Sequence, residues 1–119
     1  MFASHHGLGN LVAVVDDNGL QIDGACTEVM CLGHIGQKFA AFGWETEEVD
    51  GHDVAALHAA LIAARAGGDT PRVIVAHTVK GRGVSFMEGN AGWHGKAPNP
   101  AERAQALAEL AALSEGGAE

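Results

Sequence analysis

The sequence predicts an α/β fold, a parallel sheet of about three strands flanked by helices. Leu11 to Val15 is a continuous apolar run rich in β-branched residues, and Val73, Ile74 and Val75 form a second within Arg72 to Val79. Runs of this kind read as strands buried on both faces, the condition of a parallel sheet covered by helices. Between them lie segments with helical spacing, and strands that alternate with helices give an α/β layer. No internal repeat or linker interrupts the alternation.

Each element has its own signal. His5 and His6 before Gly7 read as a helix end, where imidazole suits the carbonyl-rich terminus. Gly33 to Phe42 carries Ile35, Phe39 and Phe42 at helical spacing, and Gly43 is a natural stop. Trp44 to Val49 is a weaker strand, because Glu45, Glu47 and Glu48 suit an edge or a strand end. Asp53 is a good N-cap for a helix with Val54, Leu57, Leu61 and Ala64 on one apolar face and Ile62 at its margin. Gly67-Gly68 ends that helix.

Lys80 to Pro98 holds five glycines and little periodicity, which predicts an irregular surface loop. Loops of that length are usually functional or disordered. Asn99-Pro100-Ala101-Glu102 combines an N-cap, a proline at the first helical position and a glutamate at the third. A helix from there to about Leu113 follows, with Leu107, Leu110 and Leu113 facing inward. The expected organisation is one domain over residues 1–113 and a frayed tail over 114–119.

Composition excludes several classes. With 119 residues, 47% of them apolar and 18% charged, the chain is globular and one domain at most. A formal charge of −8 repels a phosphodiester backbone or an anionic membrane. A polyanionic cofactor would need a cation or local donors. Cys26 and Cys31 form no CxxC pair, which favours plain thiols in a reducing compartment. No signal peptide or apolar span is visible, so the expected location is cytoplasmic. Three strands alone leave a long apolar edge for further chain or another subunit to cover.

Ligands of open parallel sheets bind at the carboxyl ends of the strands. Asp16, Asp17 and Asn18 stand at such an end, and Gly19 permits a tight turn. A hard cation such as Mg²⁺ takes oxygen from carboxylate, amide and backbone carbonyl, with phosphate completing its octahedron. On spacing alone, however, Asp-Asn-Gly reads as an Asx-type turn that only reverses the chain. Lys80 and Arg82 by themselves read as a solvated basic pair, and His94 as a surface histidine beside a packed Trp93. No HExxH, Cys/His zinc spacing or serine elbow occurs, and Gly7-Leu8-Gly9 precedes a strand, the wrong order for a dinucleotide fingerprint.

Two longer phrases carry a resemblance. Val15-Asp16-Asp17-Asn18-Gly19-Leu20-Gln21-Ile22-Asp23-Gly24 is similar to the closing half of the bipartite thiamine diphosphate motif of transketolases. Ala76-His77-Thr78-Val79-Lys80-Gly81-Arg82-Gly83, running on to Trp93-His94-Gly95-Lys96, resembles the transketolase segment that follows. The similarity extends from about Met1 to Leu110 and is nearest to the short N-terminal subunits of split bacterial transketolases. It implies the later portion of a pyrophosphate-binding domain, with thiamine diphosphate and Mg²⁺ (or Ca²⁺) as cofactors.

By that match Asn18 binds metal and diphosphate, Leu20 gives the metal a backbone carbonyl, and Ile22 lies against the thiazolium ring. Lys80 approaches the cofactor, and His94 touches both the diphosphate and the substrate as the catalytic residue. The implied activity is transfer of a two-carbon ketol unit between sugar phosphates, a step of the pentose phosphate pathway. A C-terminal subunit carrying the pyrimidine-binding domain is the implied partner.

The motif's opening Gly-Asp-Gly, with its aspartate ligand, has no counterpart in the sequence. The expectation is therefore a chain truncated at its N-terminus and inactive alone. Trp93-His94-Gly95-Lys96 favours transketolase over other thiamine enzymes such as deoxyxylulose phosphate synthase. The alternative outside catalysis is a partner-binding or degenerate half-domain.

Overall fold

The computed structural model describes residues 1–65 and 67–116. In chain order the elements are α1 (Phe2–His5), β1 (Val12–Asp17), β2 (Leu20–Gln21), β3 (Gly24–Ala25), α2 (Cys26–Val29), α3 (Ile35–Ala41), β4 (Glu45–Asp50), α4 (Val54–Ala64), β5 (Arg72–His77), a 3-10 turn (Ala91–Trp93) and α5 (Pro100–Gly116). They form two compact units, one of Met1–Asn18 with Cys31–Thr78 and one of Gly19–Met30 with Val79–Glu119.

The first unit holds the predicted three-stranded parallel sheet, in the order β1-β5-β4. Its register aligns Val12, Arg72 and Glu45 at one end and Asp17, His77 and Asp50 at the other. β5 is central because Val73, Ile74, Val75 and Ala76 can all be buried, and all are. β4 is the predicted edge, its glutamates facing water. β1 departs from expectation. It is the opposite edge rather than a strand buried on both faces, and Val14 is 55% exposed. With β5 on one side only, its apolar run lacks cover on the other.

α4 joins β4 to β5. Asp53 caps it as predicted, its Oδ1 accepting from the backbone N–H of Ala55 at 2.9 Å and Ala56 at 3.0 Å. The buried face matches the predicted one only in part, since Ala64 is buried and Leu57 half-buried as expected but Leu61 is exposed. Ala60 and Ala64 are buried, whereas Val54 is 78% exposed. Apart from the exposed His58 the helix is apolar, so its sequence marks the inward face only weakly. At its far end Arg72 donates to the carbonyls of Ala63 (2.7 Å) and Ala64 (2.9 Å) and to Glu45 Oε2 (2.6 Å). A guanidinium thus satisfies orphan carbonyls where the helix dipole is negative.

α3 starts at Ile35 and stops before Gly43 (φ +80°), with Phe39 edge-on to Trp44 at 5.3 Å. Phe42 is the C-cap and is exposed rather than packed. Gly9 is fixed by contact. A Cβ there would lie 1.8 Å from the Gly68 carbonyl oxygen.

The second unit contains the β2–β3 hairpin, α2, the segment after Val79 and α5. The hairpin goes beyond the sequence reading, although Ile22-Asp23 followed by Gly24 is a reasonable tight-turn pattern. α5 has the predicted capping box. Asn99 Oδ1 accepts from Ala101 and Glu102, both at 2.9 Å, and Glu102 Oε2 accepts from the Asn99 N–H at 2.7 Å.

The helix passes Leu113 and reaches Gly116, helped by a Ser114 hydroxyl bonded to the Ala111 carbonyl at 2.7 Å. Residues 117–119 of the expected tail lie outside the described residues. Leu107, Leu110 and Leu113 are not buried as expected, each being at least 45% exposed, although Leu110 and Leu113 lie over Gly83, where a Cβ would meet them at 3.2 and 3.0 Å. The less exposed positions are Glu102, Ala106 and Glu109, because Glu109 is turned to Ser85 by two hydrogen bonds of 2.6 and 2.8 Å.

Candidate cofactor site at the strand ends

Asp16 and Asp17 are the last residues of β1, and Asn18 follows them at the carboxyl end of the sheet, where open parallel sheets place ligands. The Asn18 amide nitrogen donates to Asp16 Oδ2 at 3.1 Å. The other Asp16 oxygen accepts from the Thr78 hydroxyl. A planar amide whose nitrogen points at a carboxylate turns its oxygen elsewhere, so Asp16 fixes which end of Asn18 serves as acceptor. Gly19 takes φ +72°, a conformation that suits glycine, in open space.

His77, which the sequence marks only as a strand residue, is a centre of this end. Its Nδ1 lies 3.1 Å from Asp17 Oδ2 and its Nε2 3.2 Å from Glu48 Oε2, so one imidazole links all three strands. The hydrogen bond to Glu48 raises its pKa above the ordinary 6.5, and the contacts with Asp17 add to this against a smaller desolvation cost than their sum. The usable signal was position. His77 ends an apolar strand as Asp16 and Asp17 end theirs.

In the second unit Leu20 pairs with Ala25 across the hairpin. The neighbouring Gly19 carbonyl accepts from the Cys26 N–H at 2.9 Å. Carbonyls alternate in direction along an antiparallel strand, so that of Leu20 points away from β3. Ile22 is at the hairpin tip and 67% exposed, an apolar side chain presented outward.

The segment after Val79 is not irregular. A series of tight turns orders it, and the Lys80 carbonyl accepts from Gly89 at 2.8 Å to close them. Gly81 is required there, since a Cβ would meet the Met87 carbonyl oxygen at 2.6 Å. Lys80 is half-buried, and Arg82, still exposed to solvent, faces Glu88 at 3.5 Å. His94 ends the 3-10 turn with its N–H on the Ala91 carbonyl at 2.9 Å, its side chain exposed.

Thus Asn18 closes the first unit. Leu20 and Ile22 share one hairpin of the second, and Lys80 and His94 share its turn-rich segment. Among the described residues no group of three or more His, Cys, Asp or Glu side chains could hold a metal ion. The donors offered are the Asn18 amide oxygen and the Leu20 carbonyl. Each is a hard oxygen, the donor class that Mg²⁺ takes. No helix among the described residues is long and apolar enough to cross a membrane.

Comparison with known proteins gives the family. Residues 1–112 match the family described as transketolase, thiamine diphosphate binding domain. The chain is 47% identical to transketolase-like protein 2 of Bos taurus over 109 residues, covering 92% of this chain and 17% of that protein. It is 36% identical over 110 residues to an apulose-4-phosphate transketolase subunit of Phocaeicola vulgatus, covering 92% of this chain and 39% of that one. Transketolase of Pichia stipitis in complex with sedoheptulose 7-phosphate superposes with a TM-score of 0.71 at 25% identity, over 96% of this chain and 21% of the other. The chain thus spans well under half the length of these relatives. It belongs to the transketolase family, in its thiamine diphosphate-binding domain.

Proposed function

We propose that this chain carries part of the diphosphate and metal site of a transketolase that uses thiamine diphosphate and Mg²⁺ to move a two-carbon ketol unit between sugar phosphates. Residues 1–113 are then the later portion of a pyrophosphate-binding domain. The supporting observation is the Asn18 amide, held by Asp16 at 3.1 Å at the carboxyl end of a parallel strand.

When bound, thiamine diphosphate supplies the electron sink for carbon–carbon bond cleavage. The chain supplies binding and proton handling. Asn18 through its amide oxygen and Leu20 through its carbonyl hold Mg²⁺, or Ca²⁺ in its place. Ile22 offers an apolar surface to the thiazolium ring. Lys80 brings a positive charge toward the cofactor, in a chain whose net charge of −8 otherwise repels an anion. His94, the catalytic residue of this set, donates to a diphosphate oxygen or substrate hydroxyl and relays a proton.

The rest of the site belongs to a larger assembly with a C-terminal subunit that carries the pyrimidine-binding domain. The Phocaeicola vulgatus relative is named as one subunit of its transketolase, which supports a split arrangement. The setting we infer is the cytoplasmic pentose phosphate pathway. The isolated 119-residue chain is inactive in this reading, because one amide and one carbonyl are a small share of a magnesium shell.

A ketol-transfer assay on the purified chain and on the assembled enzyme tests this. Turnover is expected only in the assembly, with loss on Asn18→Ala. Transfer by the chain alone contradicts it. The exposed Val14 on an edge strand favours, as second reading, a non-catalytic partner-binding module. In that case the assembly forms but Asn18→Ala leaves its cofactor affinity unchanged.

A further inference from the structure

The residues on either side of His94 are tied to each other. The Lys96 ammonium lies 3.9 Å from the centroid of the Trp93 ring, so the side chain of residue 96 returns over that of residue 93 and spans His94 and Gly95. Gly95 adopts φ +78°, which lets the chain reverse there. Trp93 is in turn held by Phe86, with ring centroids 5.2 Å apart and planes tilted by 56°.

The clasp has an anchor outside the turn. Lys96 Nζ is 3.2 Å from Glu102 Oε1, while Glu102 Oε2 accepts from the Asn99 N–H in the capping box of α5. One carboxylate therefore serves two purposes. It completes the helix start, and it holds the ammonium that lies on Trp93. Its pKa is lowered, first by the Asn99 N–H and then by Lys96, so it stays ionised at neutral pH.

We propose that Lys96, anchored by Glu102, is a positioning residue that fixes the backbone of His94 by clamping onto Trp93. This rests on the reading of His94 as the residue that meets diphosphate and substrate. The geometry explains why a lysine serves here. A flexible stem can lay its cation on the ring face, and a desolvated contact is not needed for the attraction. Arginine retains both the ring contact and the carboxylate contact, whereas methionine retains only the stem.

The test compares Lys96→Met, Lys96→Arg and His94→Ala with the natural sequence. In the full chain without cofactor, amide hydrogen exchange at His94 is expected to quicken about two- to fivefold in Lys96→Met, the span of an exposed cation–π contact. Lys96→Arg is expected to restore it. In the assembled enzyme Lys96→Met is expected to raise KM for the sugar phosphate by a similar factor, and to add nothing once His94→Ala is present.

Unchanged exchange in Lys96→Met overturns the proposal, and so does a full additional effect in the double variant. If His94→Ala itself leaves turnover unaltered, the reading of His94 fails. The exchange result then still decides whether Lys96 holds the turn.

Discussion

The amide nitrogen of Asn18 donates to the Asp16 carboxylate at 3.1 Å, and the second Asp16 oxygen accepts from the Thr78 hydroxyl. Each Asp16 oxygen thus has a partner, and one of them orients the Asn18 amide. Replacing Asp16 by Ala should let the Asn18 amide rotate. If Asn18 is a metal ligand, Asp16→Ala should weaken Mg²⁺-dependent cofactor binding in the assembled enzyme by at least about tenfold, the lower end of the usual effect of groups that orient a ligand. Thr78→Val should cause a smaller loss. Calorimetric titration checks both.

His77 makes stability depend on pH. Its folded pKa lies above its unfolded value of 6.5, so its contribution is complete below pH 6.5 and is lost as pH rises through the folded value. Chemical denaturation at about pH 6 and about pH 8 should therefore show a greater decline for the natural sequence than for His77→Gln. Parallel declines would mean that the Asp17 and Glu48 contacts do not favour the charged imidazole.

Helix signals rooted in local chemistry were legible in the sequence. Asp53, Asn99 and Glu102 act as caps because a side-chain oxygen two or three residues from an orphan N–H depends on little else. The burial of Val73 to Ala76 was legible because a four-residue apolar run leaves no polar face. Faces set by long-range packing were not legible. On α4 a nearly all-apolar sequence carries little phase, so Ala64 was read correctly but the burial of Ala60 and the exposure of Val54 were not. On α5 Glu109 bonds Ser85 beside the contact of Leu110 and Leu113 with Gly83, and this polar share of the face was not legible.

The candidate site divides in the same way. Asn18, Leu20, Ile22, Lys80 and His94 came from two sequence phrases and not from periodicity. The roles of Asp16, His77 and Lys96 needed the folded chain, since each depends on a partner whose position sequence alone leaves open.

The Asn99 cap makes a test of local stability. Asn99→Ala removes the acceptor for two backbone N–H groups at the start of α5 and should cost about 1 kcal/mol, within a range of roughly 0.5–2. Urea denaturation followed by circular dichroism measures it. No change in midpoint would show that this end of α5 is frayed in solution.

Ile74 is 1% exposed at the centre of the sheet. Ile74→Ala should destabilise the chain by about 2–5 kcal/mol, the usual cost of emptying a tightly packed site. Val14→Ala, on the exposed edge strand, should cost far less. Thermal denaturation of the two variants checks the contrast, and equal losses would contradict the assignment of β5 as the central strand.

The most direct measurement is calorimetric titration of thiamine diphosphate with Mg²⁺ into the assembled enzyme that contains this chain, with Asn18 intact and as Asn18→Ala. If Asn18 is a metal ligand, the substitution lowers affinity by about tenfold or more, while circular dichroism shows the same folded content. Equal affinity in the two proteins would contradict the assignment of this strand end as part of the cofactor site.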